Sequence, residues 1–141
     1  MNKHEGKFLP SPDPVTLPYW EACKRRELLL QECSGCGAVQ FYPRTICVSC
    51  SAVELNWVQA SGFGTVVSWT VARLPVSPAY ADDVPYVIAL IELDEGPVMM
   101  AQIIGCEPES VQTGMPVDVC FEDWTDDITM PNFRARTNSG A

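Results

Sequence analysis

Two pairs of cysteines constrain this chain more than any other feature of its 141 residues. Cys33 and Cys36 are two residues apart, as are Cys47 and Cys50, and ten residues lie between the pairs. Two residues between thiolates let one tight turn direct both sulfurs at one point, so two such turns supply the tetrahedral ligands that zinc prefers. Gly35 adds the backbone freedom that the first turn needs. We therefore predict a structural zinc site at these four cysteines.

The same thiolates have two other uses. Iron accepts the same tetrahedral geometry, and a redox dithiol needs no metal. A site closed by four thiolates leaves no position for water or substrate, so its metal would fold the hairpin without Lewis-acid chemistry. The remaining Cys23, Cys106 and Cys120 are interpreted as buried, inert thiols, because a catalytic cysteine needs a base beside it.

The composition is that of an acidic globular protein, with 47 % hydrophobic and 19 % charged residues and a net charge of −9. Its length suits one domain or two small units that share a core. Residues 1–50 hold six Lys or Arg and five Asp or Glu, whereas residues 51–141 hold three and thirteen. Because so acidic a surface repels a phosphate backbone, we expect no nucleic-acid partner.

Targeting signals are not evident in the sequence. No apolar run approaches the roughly 20 residues of a membrane helix, and residues 1–14 are polar and proline-rich without the apolar core of a signal peptide. An odd number of cysteines, four of them in spaced pairs, is typical of a reducing compartment. We expect a cytoplasmic protein that does not bind membranes.

An irregular arm over residues 1–15 is predicted to precede a short helix over residues 16–27. Thr16 is placed to cap the helix, and prolines are tolerated in a first turn. Tyr19 and Trp20 give the helix one aromatic face. That face either packs on its own chain or docks on a partner or ligand.

Eight strand signals follow the helix. They lie at residues 28–33, 38–42, 53–59, 65–74, 86–93, 98–104 and 117–124, with the last starting near Asn132. The first three surround the cysteine pairs, and the other five follow a glycine bend at Gly62 and Gly64, as in a small closed barrel. We therefore predict a mainly β chain with a helix and zinc ribbon at 16–60, a five-stranded barrel at 61–134 and a disordered tail at 135–141.

The strands at 86–93 and 98–104 are apolar on both faces. Along the first strand, Ala89 and Ile91 face one way while Ile88 and Leu90 face the other. A barrel strand needs only one apolar face, so something must cover the outer face of this hairpin. The cover is either the ribbon or a partner chain.

Recognisable catalytic groups are scarce. The only histidine is His4 in the arm, so no Ser-His-Asp or Cys-His pair can be assembled, and no phosphate-binding glycine loop opens a helix. The paired acids at 82–83, 94–95, 122–123 and 126–127 lie beside turns or strand ends and are interpreted as solvated surface. This poverty favours a binding or supporting role.

Several motifs follow one another in an order that resembles the DUF35 family. They are Pro18-Tyr-Trp-Glu-Ala22, residues 28–33, Cys36-Gly37, Phe41-Tyr-Pro-Arg44, Cys47-x-x-Cys50, Gly62-x-Gly64-x-Val66-x-Ser-Trp-Thr70, Pro85-Tyr-Val87 and Gly114-Met-Pro-Val117. The resemblance covers roughly residues 15–133 and implies an N-terminal helix and a rubredoxin-like zinc ribbon followed by an OB-fold.

Members of this family are found with thiolases, thiolase-like aldolases, acyltransferases and hydratases. The resemblance therefore implies a non-catalytic accessory subunit that stabilises a thiolase-fold acyl-CoA enzyme and shapes its substrate or CoA channel. Phe41, Pro43 and Arg44 match the family's aromatic–proline–arginine element, and with Tyr19 and Trp20 they are candidate contacts to a partner or to a CoA thioester. The alternative for Arg44 is a salt bridge within the ribbon.

The sequence departs from the family pattern at two places. The helix-to-strand junction reads Arg26-Glu27 where a glycine is expected, and the element at Tyr42 has one proline instead of two. Three other functions stay open from the residues: a single-stranded nucleic-acid-binding ribbon and OB module, a stand-alone acyl-CoA enzyme, and a rubredoxin-like electron carrier. Phe63, Trp69 and Tyr86 would stack on bases in the first of these, but the acidic barrel opposes it.

Overall fold

The structure, a computed structural model, describes residues 3–136. Its elements in chain order are α1 (Leu17–Lys24), β1 (Leu29–Cys33), β2 (Val39–Gln40), β3 (Leu55–Gln59), β4 (Phe63–Ala72), β5 (Tyr86–Leu93), β6 (Val98–Ile104), β7 (Pro116–Asp123) and β8 (Thr129–Ala135). Short 3-10 turns at Pro78–Tyr80 and Pro108–Ser110 interrupt two of the connections. The chain is mainly β, as predicted.

β1 is the central strand of the ribbon sheet, whose order is β2-β1-β3 with both pairings antiparallel. Two buried amides, Gln31 and Gln40, meet beside this sheet with Nε2 of Gln40 donating to Oε1 of Gln31 at 2.9 Å. The backbone N–H of Arg44 donates to Gln31 at 2.9 Å, and that of Val48 donates to Gln40 at 3.0 Å. These amides therefore hold the loop that separates the two cysteine pairs.

The other five strands close into a barrel of order β4-β5-β6-β8-β7. β6 and β8 run parallel, and the remaining neighbours are antiparallel. The glycine bend is confirmed: Gly62 has φ +87, and a Cβ on Gly64 would lie 2.6 Å from Cγ2 of Ile91. Only a residue without a side chain lets β4 approach β5 so closely. The fold is the predicted five-stranded OB barrel.

One hydrophobic core joins the helix, the ribbon and the barrel. Tyr19 of α1, Leu28 and Leu30 of the ribbon, and Ile91 and Phe133 of the barrel belong to the same buried cluster. Each of these side chains is at most 4 % exposed. The ribbon is therefore packed on the barrel and does not project as a separate unit.

The outer face of the β5–β6 hairpin is covered only at one end. Tyr86 and Ile88 are half-buried beside the arm, the helix and the ribbon loop. Leu90, Val98 and Met100 are 40, 47 and 65 % exposed, and no segment of residues 3–136 covers them. The ribbon is thus a partial answer to the predicted need for a cover.

Some predicted bounds change where the backbone turns early. β5 and β6 match their predicted ranges, whereas the strand predicted at 38–42 is reduced to the two residues of β2. The helix ends at Lys24 instead of residue 27, because Arg26 takes a left-handed φ of +64. β8 begins at Thr129, earlier than the predicted Asn132, because Thr129 pairs with Asp123 across the β7–β8 hairpin.

Thr16 occupies the N-cap position but its side chain does not cap the helix. Its φ of −92° and ψ of −13° are already helical, and its hydroxyl accepts a hydrogen bond from the backbone N–H of Asp13 at 3.0 Å. The Asp13 carboxylate instead accepts the N–H groups of Val15 and Thr16 at 2.9 and 2.8 Å. The expected cap is replaced by this Asp13 turn.

The arm has no helix or strand between residues 3 and 14, as predicted, but it is packed on the barrel. The ring of His4 stacks on Trp124 at 4.8 Å, and Nζ of Lys7 contacts Nδ1 of His4 at 3.0 Å and the carboxylate of Asp83. Burial and the nearby Lys7 lower the pKa of His4.

The tail predicted from residue 135 starts later. Ala135 pairs with Val117 in the barrel, so the prediction of disorder is wrong at this residue. Arg136 donates its N–H to Pro116 at 2.9 Å, and its guanidinium lies 3.7 Å from the ring centroid of Phe63. Residues 137–141 lie outside the described part of the chain. Within residues 3–136, no helix has the length and hydropathy needed to cross a bilayer.

Candidate functional site

The four paired cysteines converge on one point at the tip of the ribbon. All four Sγ atoms lie within 4.8 Å of one another, and the Cys33–Cys50 and Cys36–Cys47 sulfurs are each 3.6 Å apart. A tetrahedral site with metal–sulfur bonds of about 2.3 Å has sulfur–sulfur edges of roughly 3.8 Å. The cluster therefore fits a structural metal ion, which these four residues would hold.

Both cysteine pairs use the same turn. The N–H of Gly35 donates to the sulfur of Cys33, and the N–H of Ser49 donates to the sulfur of Cys47, each at 3.3 Å. The turns end at Gly37, with φ +78, and at Ser51, with φ +68. The second turn therefore adopts the glycine geometry without a glycine.

The electrostatics of the cluster call for a cation. Hydrogen bonds from the backbone N–H groups of Cys50 and Ser49 lower the pKa of Cys47 to about 6. The N–H of Ala52 lowers the pKa of Cys50, but the neighbouring sulfurs outweigh it and raise that pKa to about 12. Adjacent thiols that cannot all ionise together are the expected state of a ligand set whose positive charge comes from a metal.

A groove of about 540 Å³ opens between the arm, α1, the ribbon loop and the outer face of the barrel. We call it the aromatic groove. Its aromatic and apolar lining consists of Tyr19, Trp20, Phe41, Tyr42, Pro43, Tyr86, Ile88, Met99, Met100, Met130 and Pro131. The ring of Tyr19 meets those of Trp20 and Phe41 edge-on, at 5.0 and 5.7 Å between centroids. These contacts fix the wall formed by the helix and the ribbon loop.

Comparison with known proteins matches both halves of the chain. Residues 20–55 match the "ChsH2, rubredoxin-like zinc ribbon domain", and residues 57–122 match the "ChsH2, C-terminal OB-fold domain". A DUF35 domain-containing scaffold protein of Methanocaldococcus jannaschii is 38 % identical over 112 residues, covering 77 % of this chain and 78 % of that protein. The chain belongs to the DUF35 family.

Two further similarities place this DUF35 chain among larger assemblies. A probable enoyl-CoA hydratase alpha subunit of Thermomonospora curvata is 35 % identical over 116 residues, covering 82 % of this chain but 36 % of that subunit. The DUF35 chain thus spans about a third of that relative. The solved structure of an Ltp2-ChsH2(DUF35) aldolase contains a chain with 33 % identity and a TM-score of 0.81, covering 90 % of this chain and 98 % of that one.

Four of the five contact residues predicted from sequence meet in the aromatic groove. Tyr19, Trp20, Phe41 and Pro43 all line it. Tyr19 is 4 % exposed and belongs to the core, so it packs on its own chain, whereas Trp20 is half-buried and faces the groove. Both interpretations of the aromatic helix face therefore hold, each for one residue.

Arg44 lies outside the groove lining. Its guanidinium is 5.4 Å from the ring centroid of Tyr42, which is itself 61 % exposed at the rim. Within residues 3–136 Arg44 forms no salt bridge, so the predicted alternative of an ion pair inside the ribbon is wrong. The arginine is held by the backbone bond to Gln31 and leaves its charge at the surface.

Sequence reasoning missed other residues of this DUF35 groove. Asn132 and Met130 line it from β8, and Trp124 does so from the turn after β7. The only sequence signal for Asn132 is one amide between apolar neighbours in a barrel strand. Of the unpaired cysteines, Cys23 is buried beside Tyr19, and burial raises its pKa to about 12, as expected for an inert thiol.

Proposed function

We propose that this DUF35 chain is a non-catalytic accessory subunit that binds a thiolase-fold or related acyl-CoA enzyme through the aromatic groove and the adjoining hairpin face. The observation that carries this proposal is the apolar surface. Leu90, Val98 and Met100 are exposed on one side of the hairpin, and the groove adjoins them through Met100. Contiguous exposed apolar patches of this kind mark interaction sites.

The similar proteins support a partner of this class. The aldolase structure pairs a DUF35 chain with Ltp2, and the Thermomonospora relative is named as a subunit of a hydratase. We assign the chemistry to the partner, because the metal site is closed by four thiolates and the single histidine stacks on Trp124 in the arm. The chain would stabilise the partner and shape its substrate or CoA channel.

We infer that the metal is Zn²⁺. Four thiolates in a tetrahedral arrangement suit zinc, and the pairing of buried Cys33 and Cys47 with exposed Cys36 and Cys50 suits a ribbon tip. Free thiolates also fit a reducing compartment such as the cytoplasm. Elemental analysis of the purified chain should find about one equivalent of zinc in a colourless protein; a coloured, iron-loaded protein would replace zinc with iron.

Arg44 is our candidate for a charged contact at this interface. It is exposed and is steadied by Tyr42 at the rim of the groove. A guanidinium in that position suits either a CoA phosphate or a partner carboxylate.

Co-expression tests the proposal. The tagged chain is expressed with the genes that flank it in its own genome, and the recovered proteins are identified and assayed. We expect an acyl-CoA enzyme whose activity falls when the chain is omitted. Met100→Lys should abolish recovery because it places a charge on the apolar face, whereas Leu74→Lys, at a residue 84 % exposed and outside the groove, should not. Equal recovery with both variants would refute this docking surface.

A further inference from the structure

Asn132 carries a buried amide donor that the chain itself does not use. The residue is 4 % exposed and lies on β8, where the next residue, Phe133, is fully buried inside the barrel. Adjacent strand residues point to opposite faces, and Asn132 accordingly lines the aromatic groove on the outer face. Its Nδ2 has no hydrogen-bond partner among residues 3–136. A buried unpaired N–H is unfavourable, so this position is suited to an incoming acceptor.

The rest of the groove selects against charged occupants. Among its lining residues, Asp13 is the only one with a formal charge, and that charge is negative. The remaining walls are aromatic rings, methionines and aliphatic side chains, which favour uncharged apolar groups. An acceptor that reaches Asn132 should therefore be a neutral carbonyl oxygen, since a phosphate or carboxylate would find no cation there.

The apolar surface extends beyond the groove. Met100 lines it and is 65 % exposed, and Leu90, its cross-strand partner, is 40 % exposed. At the opposite rim Tyr42 is 61 % exposed. A small molecule would fill the groove and leave these flanks in water. A polypeptide would cover the groove and both flanks together.

We propose that Asn132 is a specificity-determining residue of the groove, and that its Nδ2 donates a hydrogen bond to a main-chain carbonyl of an uncharged, apolar segment of the partner protein. This inference rests on the proposed accessory function and names the chemistry of the segment that docks. The bond would pair the orphan donor and fix the register of the segment against the apolar walls.

Asn132→Leu tests the role of the amide. The substitution keeps the approximate size of the side chain and removes the unpaired donor, so the free chain should unfold at the same temperature or a higher one. Its dissociation constant for the partner recovered by co-expression should rise about tenfold. Asn56→Ala is the matched control, because Asn56 is exposed on the ribbon strand β3 and lies outside the groove. Unchanged affinity for Asn132→Leu, or weaker binding together with a lower unfolding temperature, would overturn the proposal.

A titration of the wild-type chain keeps the test open if the variant does not fold. N-acetyl-leucine N-methylamide, a neutral peptide mimic, should shift the side-chain amide resonance of Asn132 in the ¹⁵N-labelled full chain. A shift with S-hexanoyl-pantetheine alone would show that the groove takes an acyl thioester, and would overturn the peptide assignment. A complex that forms normally with the Asn132→Leu variant refutes only the anchor, whereas failure of the wild-type chain to form any complex refutes the accessory function itself.

Discussion

Two residues in this chain hold a backbone conformation that glycine adopts more easily. Arg26, at the end of α1, has φ +64, and Ser51, at the end of the second cysteine turn, has φ +68. Arg26 stands where the family pattern has a glycine, and its side chain instead reaches Asp123 of β7 through two hydrogen bonds of 2.8 and 3.0 Å. A bidentate ion pair thus ties the helix end to the barrel.

Ser51→Gly is expected to stabilise the protein by about 0.5–1 kcal/mol, since glycine adopts a positive φ without the Cβ clash. Gly37→Ala, at φ +78 in the matching turn, should destabilise it for the same reason. Urea unfolding of the metal-loaded protein measures both. A stabilising Gly37→Ala variant would show that the two turns are not equivalent.

The Arg26 ion pair should be visible in the titration of Asp123. The Arg26 guanidinium, with help from the Thr129 hydroxyl, lowers the pKa of Asp123 to about 2. Because an unfolded aspartate titrates near 3.9, Asp123 favours folding above about pH 4, and this contribution is lost as the pH falls towards 2. Arg26→Gln should raise the pKa of Asp123 towards its ordinary value in a ¹³C carboxyl titration. Arg25→Gln, which removes the neighbouring pair with Glu27, should leave Asp123 unchanged.

At this scale the sequence shows chemistry better than conformation. The spacing of the cysteines identified the metal ligands, because two short turns permit few other uses of four thiolates. The positive φ at Arg26 and Ser51 is set by hydrogen bonds and by contacts with distant strands, which spacing does not encode. Asn132 was missed for a similar reason: its significance comes from the helix and arm that bury it.

The ribbon is the element that depends most on its metal. It has two short flanking strands around β1, and its cysteine turns lie beyond the common core, which reaches the ribbon through Leu28 and Leu30. Metal chelation should therefore remove hydrogen-exchange protection from residues 33–54 while the barrel strands stay protected. Simultaneous loss of protection in β4–β8 would mean that the metal supports the whole core.

The start of the barrel depends on a close approach between two strands. A Cβ on Gly64 would lie 2.6 Å from Cγ2 of Ile91 and 2.9 Å from the backbone oxygen of Glu92. Gly64→Ala should cost about 1–3 kcal/mol in the free energy of unfolding, because the backbone oxygen cannot move aside. Gly35→Ala is the control, since its nearest non-neighbouring atom is 3.6 Å away, an ordinary contact. Thermal unfolding with equal effects for both variants would contradict this packing argument.

Strands were easier to predict from sequence than their ends. β5 and β6 have a tight turn between two long apolar runs, and both were located correctly. β2 is short because the amides of Gln31 and Gln40 hold the following loop, a tertiary contact invisible in local pattern. The β8 start and the helix end shifted because Thr129 and Arg26 each contact Asp123 on β7.

The aromatic groove is a property of the whole molecule. Its walls come from the arm, α1, the ribbon loop and three barrel strands, which converge only because ribbon and barrel share one core. The sequence could predict that the hairpin needs a cover and that Tyr19, Trp20, Phe41 and Pro43 are contact residues. It could not show that these form one surface, since their proximity depends on the packing of separate elements.

Reconstitution of enzyme activity tests the accessory-subunit account most directly. Acyl-CoA turnover is measured for this chain alone, for the purified partner alone and for the two together. The account predicts no turnover by the chain alone, reduced turnover by the partner alone and full turnover by the mixture. Turnover by the chain alone, or a mixture no more active than the isolated partner, would contradict it.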